Sequence, residues 1–555
     1  MHGRATPSPG SETEPVFDPL SCGSVDEPLM MGQPPSLSHR ILMRGRLRMR
    51  TVKGRTDHVV VVGAGLSGLS AALHLAGRGR RVTVLEREPV PGGRAGRLDR
   101  DGYLFDTGPT VLTMPDVVES TLAAVGDSVA ERVPLVRVEP AYRAEFADGS
   151  GLDVHSDGEA MAAEVERFAG PAEAAGYLRL RAWLHNLYRV QFDRFIAANL
   201  DSPLAMVTPE LARLAALGGF RRLEAAVGRF LTDDRLRRVF TFQSLYAGTS
   251  PQRALALYAV IAYMDTVSGV YFPLGGMRAL PDGLAAAAED AGVRFHYRTH
   301  VIALERDGDR VRAVLTADGE RLPCDAVVLT TELPVSYRLL GRVPRRPLPL
   351  RAAPSAVVLH VAARRSWPGV GHHTLLLGNA WAETFRQLIV AGELMHDPSL
   401  LVTRPTATDP RLAPEGTDVL SVLAPVPNLH RAPIDWEREG PSYAEQIARV
   451  AEKRLLPGLP DAIGFTHVLT PKEWAELDMV AGTPFSLAHT FGQTGPFRPS
   501  NLPRGVSNAV LAGGGTVPGV GVPTALLSGK LAADRITGLP APTSGRTTVI
   551  SHERL

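Results

Sequence analysis

An apolar β-branched run, Val59–Val62, leads without a break into Gly63-x-Gly65-x-x-Gly68 and then into a helical pattern. Few local sequences restrict a fold so tightly. The order predicts a buried parallel strand, a tight glycine turn and a helix whose N-terminus faces a pyrophosphate. Gly63 permits the turn, Gly65 lets backbone approach phosphate, and Gly68 lets helix pack closely on strand. Ala64, Leu66 and Ser67 fill the variable positions and complete the dinucleotide-binding set. Leu69, Leu73 and Ala76 share one helical face, with Gly77 as the expected stop. Val82-Thr83-Val84-Leu85 reads as the second strand and ends in Glu86, eighteen residues after Gly68. That spacing suits a carboxylate bonding ribose hydroxyls, and it disfavours a 2′-phosphate, although Arg87 stands beside it.

The chain has 555 residues, 44% of them hydrophobic, enough for two or three domains. A net charge of +2 gives no field that argues for nucleic acid. The longest apolar run, Ala254–Met264, is about half of the roughly 20 residues that a spanning helix requires. Two cysteines, Cys22 and Cys324, build neither a disulfide framework nor a metal knuckle and suit a reducing cytoplasm. The first 56 residues carry scattered Pro, Ser and Gly and the basic run Arg44-x-Arg46-x-Arg48-x-Arg50, with no apolar core for a signal peptide. They are expected to be a disordered extension, and Met49, ten residues before the strand, suggests that residues 1–48 are dispensable or follow from an upstream start.

Two further motifs follow the second strand: Gly92-Gly93-Arg94 after Pro91, and Phe105-Asp106-Thr107-Gly108-Pro109. A simple nicotinamide dehydrogenase has no use for the first. Near the C-terminus, a strand beginning at Ala509 delivers Gly513-Gly514-Gly515-Thr516-Val517-Pro518-Gly519-Val520-Gly521-Val522-Pro523, and a helix follows to about Ile536. Pro523 suits a first helical turn, where its missing N–H costs nothing.

Taken in order, these motifs resemble the phytoene (carotenoid) desaturase family of FAD-dependent, amine-oxidase-like enzymes, over roughly residues 57–537. Gly269–Pro281 is similar to the segment that leads into that family's next helix, here Leu280–Ala291. The strand near Val301 is the one whose backbone meets adenine in related flavoproteins. Two departures stand out. Thr331-Glu332-Leu333 replaces an Asn-Ala-Asp-Leu-like element, and Val517 stands where many members have histidine. The resemblance implies an α/β fold: a Rossmann-like FAD-binding domain of the two-dinucleotide-binding flavoprotein type with an interleaved α+β substrate domain. The expected divisions are 1–56, disordered; 57–110, 266–335 and 481–537, FAD-binding; 111–265, substrate and membrane-facing; 336–480, the second part of the substrate domain; and 538–555, a disordered tail. It also implies that Gly92, Gly93, Arg94, Gly108, Pro109, Gly513, Gly514, Gly519, Gly521, Val522 and Pro523 surround the flavin side of the cofactor. The positive end of the last helix would then face the flavin pyrimidine.

Gly176–Leu200 is helical in pattern, with Leu180, Trp183, Leu184, Leu187, Tyr188, Phe192, Phe195 and Ile196 in one stripe flanked by Arg179, Arg181, Arg189 and Arg194. It reads either as a lipid-dipping face or as an ordinary core face, and the core reading is the commoner one. Phe220–Phe230 and Ala254–Met264 offer further apolar helices to cover a channel. His372-His373 and His489 have no third ligand at a convincing spacing, so no metal is expected. No nucleophile elbow supports hydrolysis.

The implied reaction is stepwise desaturation of phytoene towards neurosporene and lycopene. The target bond lies about 3–3.5 Å from flavin N5 in a dry, elongated site, and FAD is reoxidised by oxygen or a membrane quinone. Glu210 and Arg213, on one helical segment, are the candidate catalytic pair lining the tunnel. The expected location is cytoplasmic with peripheral membrane association. Alternatives are an amine oxidase or protoporphyrinogen-oxidase-like enzyme of the same fold, and a prenyl-binding carrier like the GDP-dissociation inhibitors that no longer binds flavin. An NAD-linked dehydrogenase leaves Gly513–Pro523 unexplained.

Overall fold

The computed structural model describes residues 49–538 except 344, 345, 347 and 348. The expectations for residues 1–48, including Cys22, and for the tail from 539 lie outside the described residues. The strand His58–Val62 buries all four of its valines because a parallel neighbour covers each edge and helices cover its faces. The sheet is five-stranded and wholly parallel, in the order Ala509–Leu511, Ala326–Leu329, His58–Val62, Arg81–Leu85, Arg294–His296. Its central strand comes from the start of the described chain and one edge strand from its end.

The same joining explains residues 49–56, which the sequence places in a disordered extension and which are ordered instead. Arg535 is fully buried on the last helix and requires acceptors there. It finds the Arg50 carbonyl at 2.7 Å, Asn501 Oδ1 at 3.1 Å and Asp201 Oδ1 at 2.7 Å. Val52 N–H in turn donates to the Arg535 carbonyl, and Lys53 N–H to that of Ser507.

The first helix, Leu66–Ala76, is buried over almost its whole length because the last helix, Val522–Thr537, lies directly on it. A Cβ on Gly529 would come 2.3 Å from the Ser67 carbonyl oxygen, and Ser70 Oγ donates to the Leu526 carbonyl at 2.6 Å. Gly77 does end the first helix, although in a right-handed conformation at φ −60°. Glycine is needed there for a different reason: a Cβ would sit 1.8 Å from the Ala124 carbonyl oxygen.

A second, seven-stranded sheet draws on two distant segments, in the order Ile463–Leu469, Ser355–Ala363, Asp418–Val426, Leu400–Thr403, His373–Leu377, Tyr142–Phe146, Gly151–Val154. Trp436–Arg454 packs Trp436, Tyr443, Ile447 and Ala451 into the core beside it. The helix expected over 176–200 runs as Pro171–Gln191 and then widens into a π turn, Phe192–Ile196. Leu180, Trp183, Leu184 and Leu187 are buried, so this part of the stripe is core; Tyr188, Phe192, Phe195 and Ile196 are half-buried. Phe220–Phe230 is helical only over Leu223–Val227, because Arg222 bridges Leu255 and the Leu223 N–H donates to the Ala254 carbonyl. Ala254–Met264 likewise divides into a 3₁₀ turn, Ala256–Tyr258, and the helix Ala259–Thr266. Among the described residues no helix is long and apolar enough to cross a membrane.

Candidate active site

The first glycine turn is built from three close approaches. Gly63 has φ +104°, and a Cβ there would lie 2.5 Å from Thr330 Oγ1. A Cβ on Gly68 would lie 1.9 Å from the Gly63 carbonyl oxygen, so helix and strand touch backbone to backbone. Gly65 caps the helix with no side-chain hydrogen bond, leaving the N–H groups of the first turn facing outward for an anion. The Glu86 carboxylate is buried at the end of the second strand, where it accepts from Ala64 N–H at 2.6 Å and Glu88 N–H at 3.0 Å. It therefore stands at the turn itself. Arg87 does not. Its guanidinium, expected beside the cofactor, pairs with Asp478 at 2.7 Å on the surface. Val301 is buried at the start of a strand and packs in one cluster with Leu85, and Thr299 N–H donates to the Glu86 carbonyl at 2.8 Å.

Gly92 donates from its N–H to the Ala64 carbonyl at 2.9 Å and forms a bridge with Gly65. Both Gly92 and Gly93 have positive φ, and a Cβ on Gly93 would be 3.1 Å from Gly65 Cα. The second loop thus lies directly on the first. Gly108 supports it from behind, since a Cβ there would be 1.8 Å from the Arg94 carbonyl oxygen; Pro109 beside it is half-buried. Asp106 accepts from Met277 N–H at 2.8 Å and Arg278 N–H at 3.2 Å, which ties Gly276–Arg278 to the loop. Burial raises its carboxyl to about 6.

The C-terminal turn meets the same point. Gly513, at φ +106°, donates to Ser528 Oγ at 2.8 Å. A Cβ on Gly514 would be 3.6 Å from Arg94 Nη1. Arg94 pairs with Glu332, whose Oε2 is buried without a partner. Behind the turn, the buried Arg498 guanidinium donates to the carbonyls of Thr516 at 2.7 Å and Gly514 at 2.6 Å. Burial lowers its pKa to about 10. Gly519 and Gly521 have φ +145° and +130°; Gly521 caps the last helix without a side-chain bond, and Val522 and Pro523 open it.

The structure therefore brings together Gly63–Gly68, Glu86, Gly92–Arg94, Gly108 and Gly513–Pro523. These residues fit FAD: the glycine cradles are those a Cβ would fill, and the orphaned Glu332 Oε2 is an acceptor awaiting a donor. Glu332 lies in the element that departs from the family pattern, Arg498 lies in Phe497-Arg498-Pro499, a segment that resembles the family, and Ser528 carries no local signal of its role. Glu210 and Arg213 do not join this site. Glu210 lies in the first turn of Pro209–Ala216, where its own N–H and the Thr208 hydroxyl hold its pKa below the usual range, and Arg213 is exposed. Helix capping and solvation account for both, and neither lines a buried tunnel. No group of three His, Cys, Asp or Glu among the described residues is arranged to hold a metal.

The chain matches the flavin containing amine oxidoreductase family over residues 66–537. It is 64% identical to a phytoene dehydrogenase of Streptomyces griseus, across 88% of this chain and 97% of that protein. It is 38% identical to a zeta-carotene-forming phytoene desaturase of Myxococcus xanthus, across 86% and 93%. Among solved structures, an oxidoreductase from Methanosarcina mazei superposes with a TM-score of 0.57 at 16% identity, covering 85% of this chain and 98% of that one, which shows the shared fold.

Proposed function

We propose that this chain, which belongs to the flavin containing amine oxidoreductases and within them to the phytoene desaturases, uses FAD to desaturate phytoene towards neurosporene and lycopene. The near-full-length identity with the Streptomyces griseus protein carries the reading. FAD supplies a two-electron acceptor for hydride from carbon. The chain's own part is to hold and shield it. The N–H groups after Gly65 would face its pyrophosphate and Glu86 its ribose hydroxyls; Arg94 and the Gly513–Pro523 turn would border its flavin, and the N-terminus of Val522–Thr537 would favour negative charge there. Expression in cells that accumulate phytoene is the test. Red lycopene or yellow intermediates are expected, with a flavin spectrum in the purified protein; unchanged phytoene with flavin-loaded protein would sink the reading. Reoxidation is assigned to oxygen or a quinone, and anaerobic turnover that depends on an added quinone would single out the second.

A long hydrocarbon substrate partitions out of water into a bilayer, and an exposed apolar patch on the chain supports docking there. Leu204 and Val207 are each 75% exposed and Phe491 63%. Phe491 and Phe497 meet at a tilt with ring centroids 5.7 Å apart, while Met206 and Leu200 flank Gly495 between them. Arg194 and Arg213 stand close by, against Glu210. The reading is peripheral docking of this apolar patch into an anionic bilayer. Burying each large side chain is worth roughly 1.5–3 kcal/mol, so Leu204→Ser, Val207→Ser and Phe491→Ser together are expected to weaken co-sedimentation with phosphatidylglycerol vesicles at least about tenfold. Unchanged co-sedimentation would exclude the patch.

A further inference from the structure

Turning a CH–CH pair into C=C releases a proton as well as a hydride, and a dry apolar site offers that proton no water. One ring stands against the C-terminal glycine turn. A Cβ on Gly519 would lie 2.2 Å from His489 Cε1 and 2.6 Å from its Nε2, so glycine is what lets this imidazole reach the turn. The His489 backbone is held there by its amide N–H, which donates to the Ala247 carbonyl at 2.7 Å. The Tyr258 ring meets it edge-on, with centroids 5.5 Å apart, and the Tyr258 hydroxyl is itself bonded to Thr494. His489 is half-buried, so the ring is not sealed in the core.

Resting on the desaturase reading, we propose that His489 accepts the proton released when the substrate is desaturated. One hydrogen leaves carbon as hydride to FAD, carrying two electrons. The neighbouring carbon loses its hydrogen as a proton to the imidazole, and the electron pair left behind becomes the new π bond. The proton leaves the site when the oxygen or quinone acceptor is reduced, so one acceptor gains two electrons and two protons per double bond. The ionisable groups facing the ring are Arg498, buried behind the turn, and Tyr258; Glu332 faces Arg498 in turn. Burial and the Arg498 charge hold the imidazole well below its usual pKa, so it is neutral at pH 7, with a ring nitrogen free to take up a proton.

The test uses the holoenzyme. His489→Gln is expected to keep its FAD, measured by flavin absorbance after denaturation, and to form product at least about 100-fold more slowly. The acid limb of the pH–rate profile, where protonation removes the base, is expected to vanish in this variant. Added imidazole is expected to restore the rate of His489→Ala at least tenfold. A second readout needs no turnover: acidifying the wild-type holoenzyme through the imidazole titration should perturb the visible flavin band, and in His489→Gln it should not. A wild-type rate in His489→Gln, or a slow, FAD-loaded His489→Ala that imidazole does not rescue, would overturn the proposal. Failure of wild-type protein to convert phytoene would defeat the desaturase reading and this step with it.

Discussion

Protein carrying Gly68→Ala is expected to purify with less than a tenth of the wild-type flavin. Its Cβ would sit 1.9 Å from the Gly63 carbonyl oxygen and 3.0 Å from that carbonyl carbon, and both neighbours are backbone. Contacts below about 3 Å force the first helix away from its strand, and interior backbone yields only by moving whole elements. The helix N-terminus then no longer faces the phosphates. Gly65→Ala separates this effect from a direct clash with the cofactor. Its nearest protein atom would be 3.9 Å away, so the apoprotein should melt as wild type does. It should nonetheless lose FAD affinity, since a methyl group would occupy the approach to the pyrophosphate. Flavin absorbance per protein and thermal midpoints of both apoproteins make the comparison. Wild-type flavin content in Gly68→Ala would show that this helix is not a rigid part of the site.

The second large effect is on stability. Asp418 is buried in the seven-stranded sheet and accepts from Arg404 Nη1 at 3.2 Å, Thr406 Oγ1 at 2.5 Å and Trp367 N–H at 2.9 Å. Asp418→Ala strands the buried Arg404 guanidinium, whose remaining bond is from Nε to the Val370 carbonyl. Breaking one partner of such a pair costs about 3–5 kcal/mol, a large fraction of the usual 5–15 kcal/mol of a domain. The expected outcome is low soluble yield and a thermal midpoint lowered by several degrees. Asp418→Asn keeps one acceptor and should fall between the two. A midpoint equal to wild type for Asp418→Ala would mean that water enters and solvates Arg404.

The surface reading of Glu210 and Arg213 shows why pattern alone misled. An acid followed three residues later by an arginine is what a solvated helix displays as readily as a catalytic pair. Burial decides between them, and burial is a property of the packed molecule. The aromatic stripe after Gly176 held as a core face for its first half only. Its period marked a buried face through Leu187, but nothing in it marked the π turn at Phe192.

The sequence by itself determined the dinucleotide framework. A run of four valines, a glycine turn and a helix are consequences of local backbone geometry: apolar β-branched residues suit a strand covered on both faces, and glycines stand where φ is positive or a carbonyl comes too close for a Cβ. The same logic made Gly92–Gly93 and Gly513–Gly521 legible, along with the helix after Val522. Tertiary structure alone decided how these pieces meet. Arg94 finds Glu332 across 238 residues, Val52 finds the last helix, and His489 finds Gly519. Partners for buried charged groups are chosen by three-dimensional proximity, because desolvation penalises every arrangement that leaves them unpaired, and no local spacing records that choice.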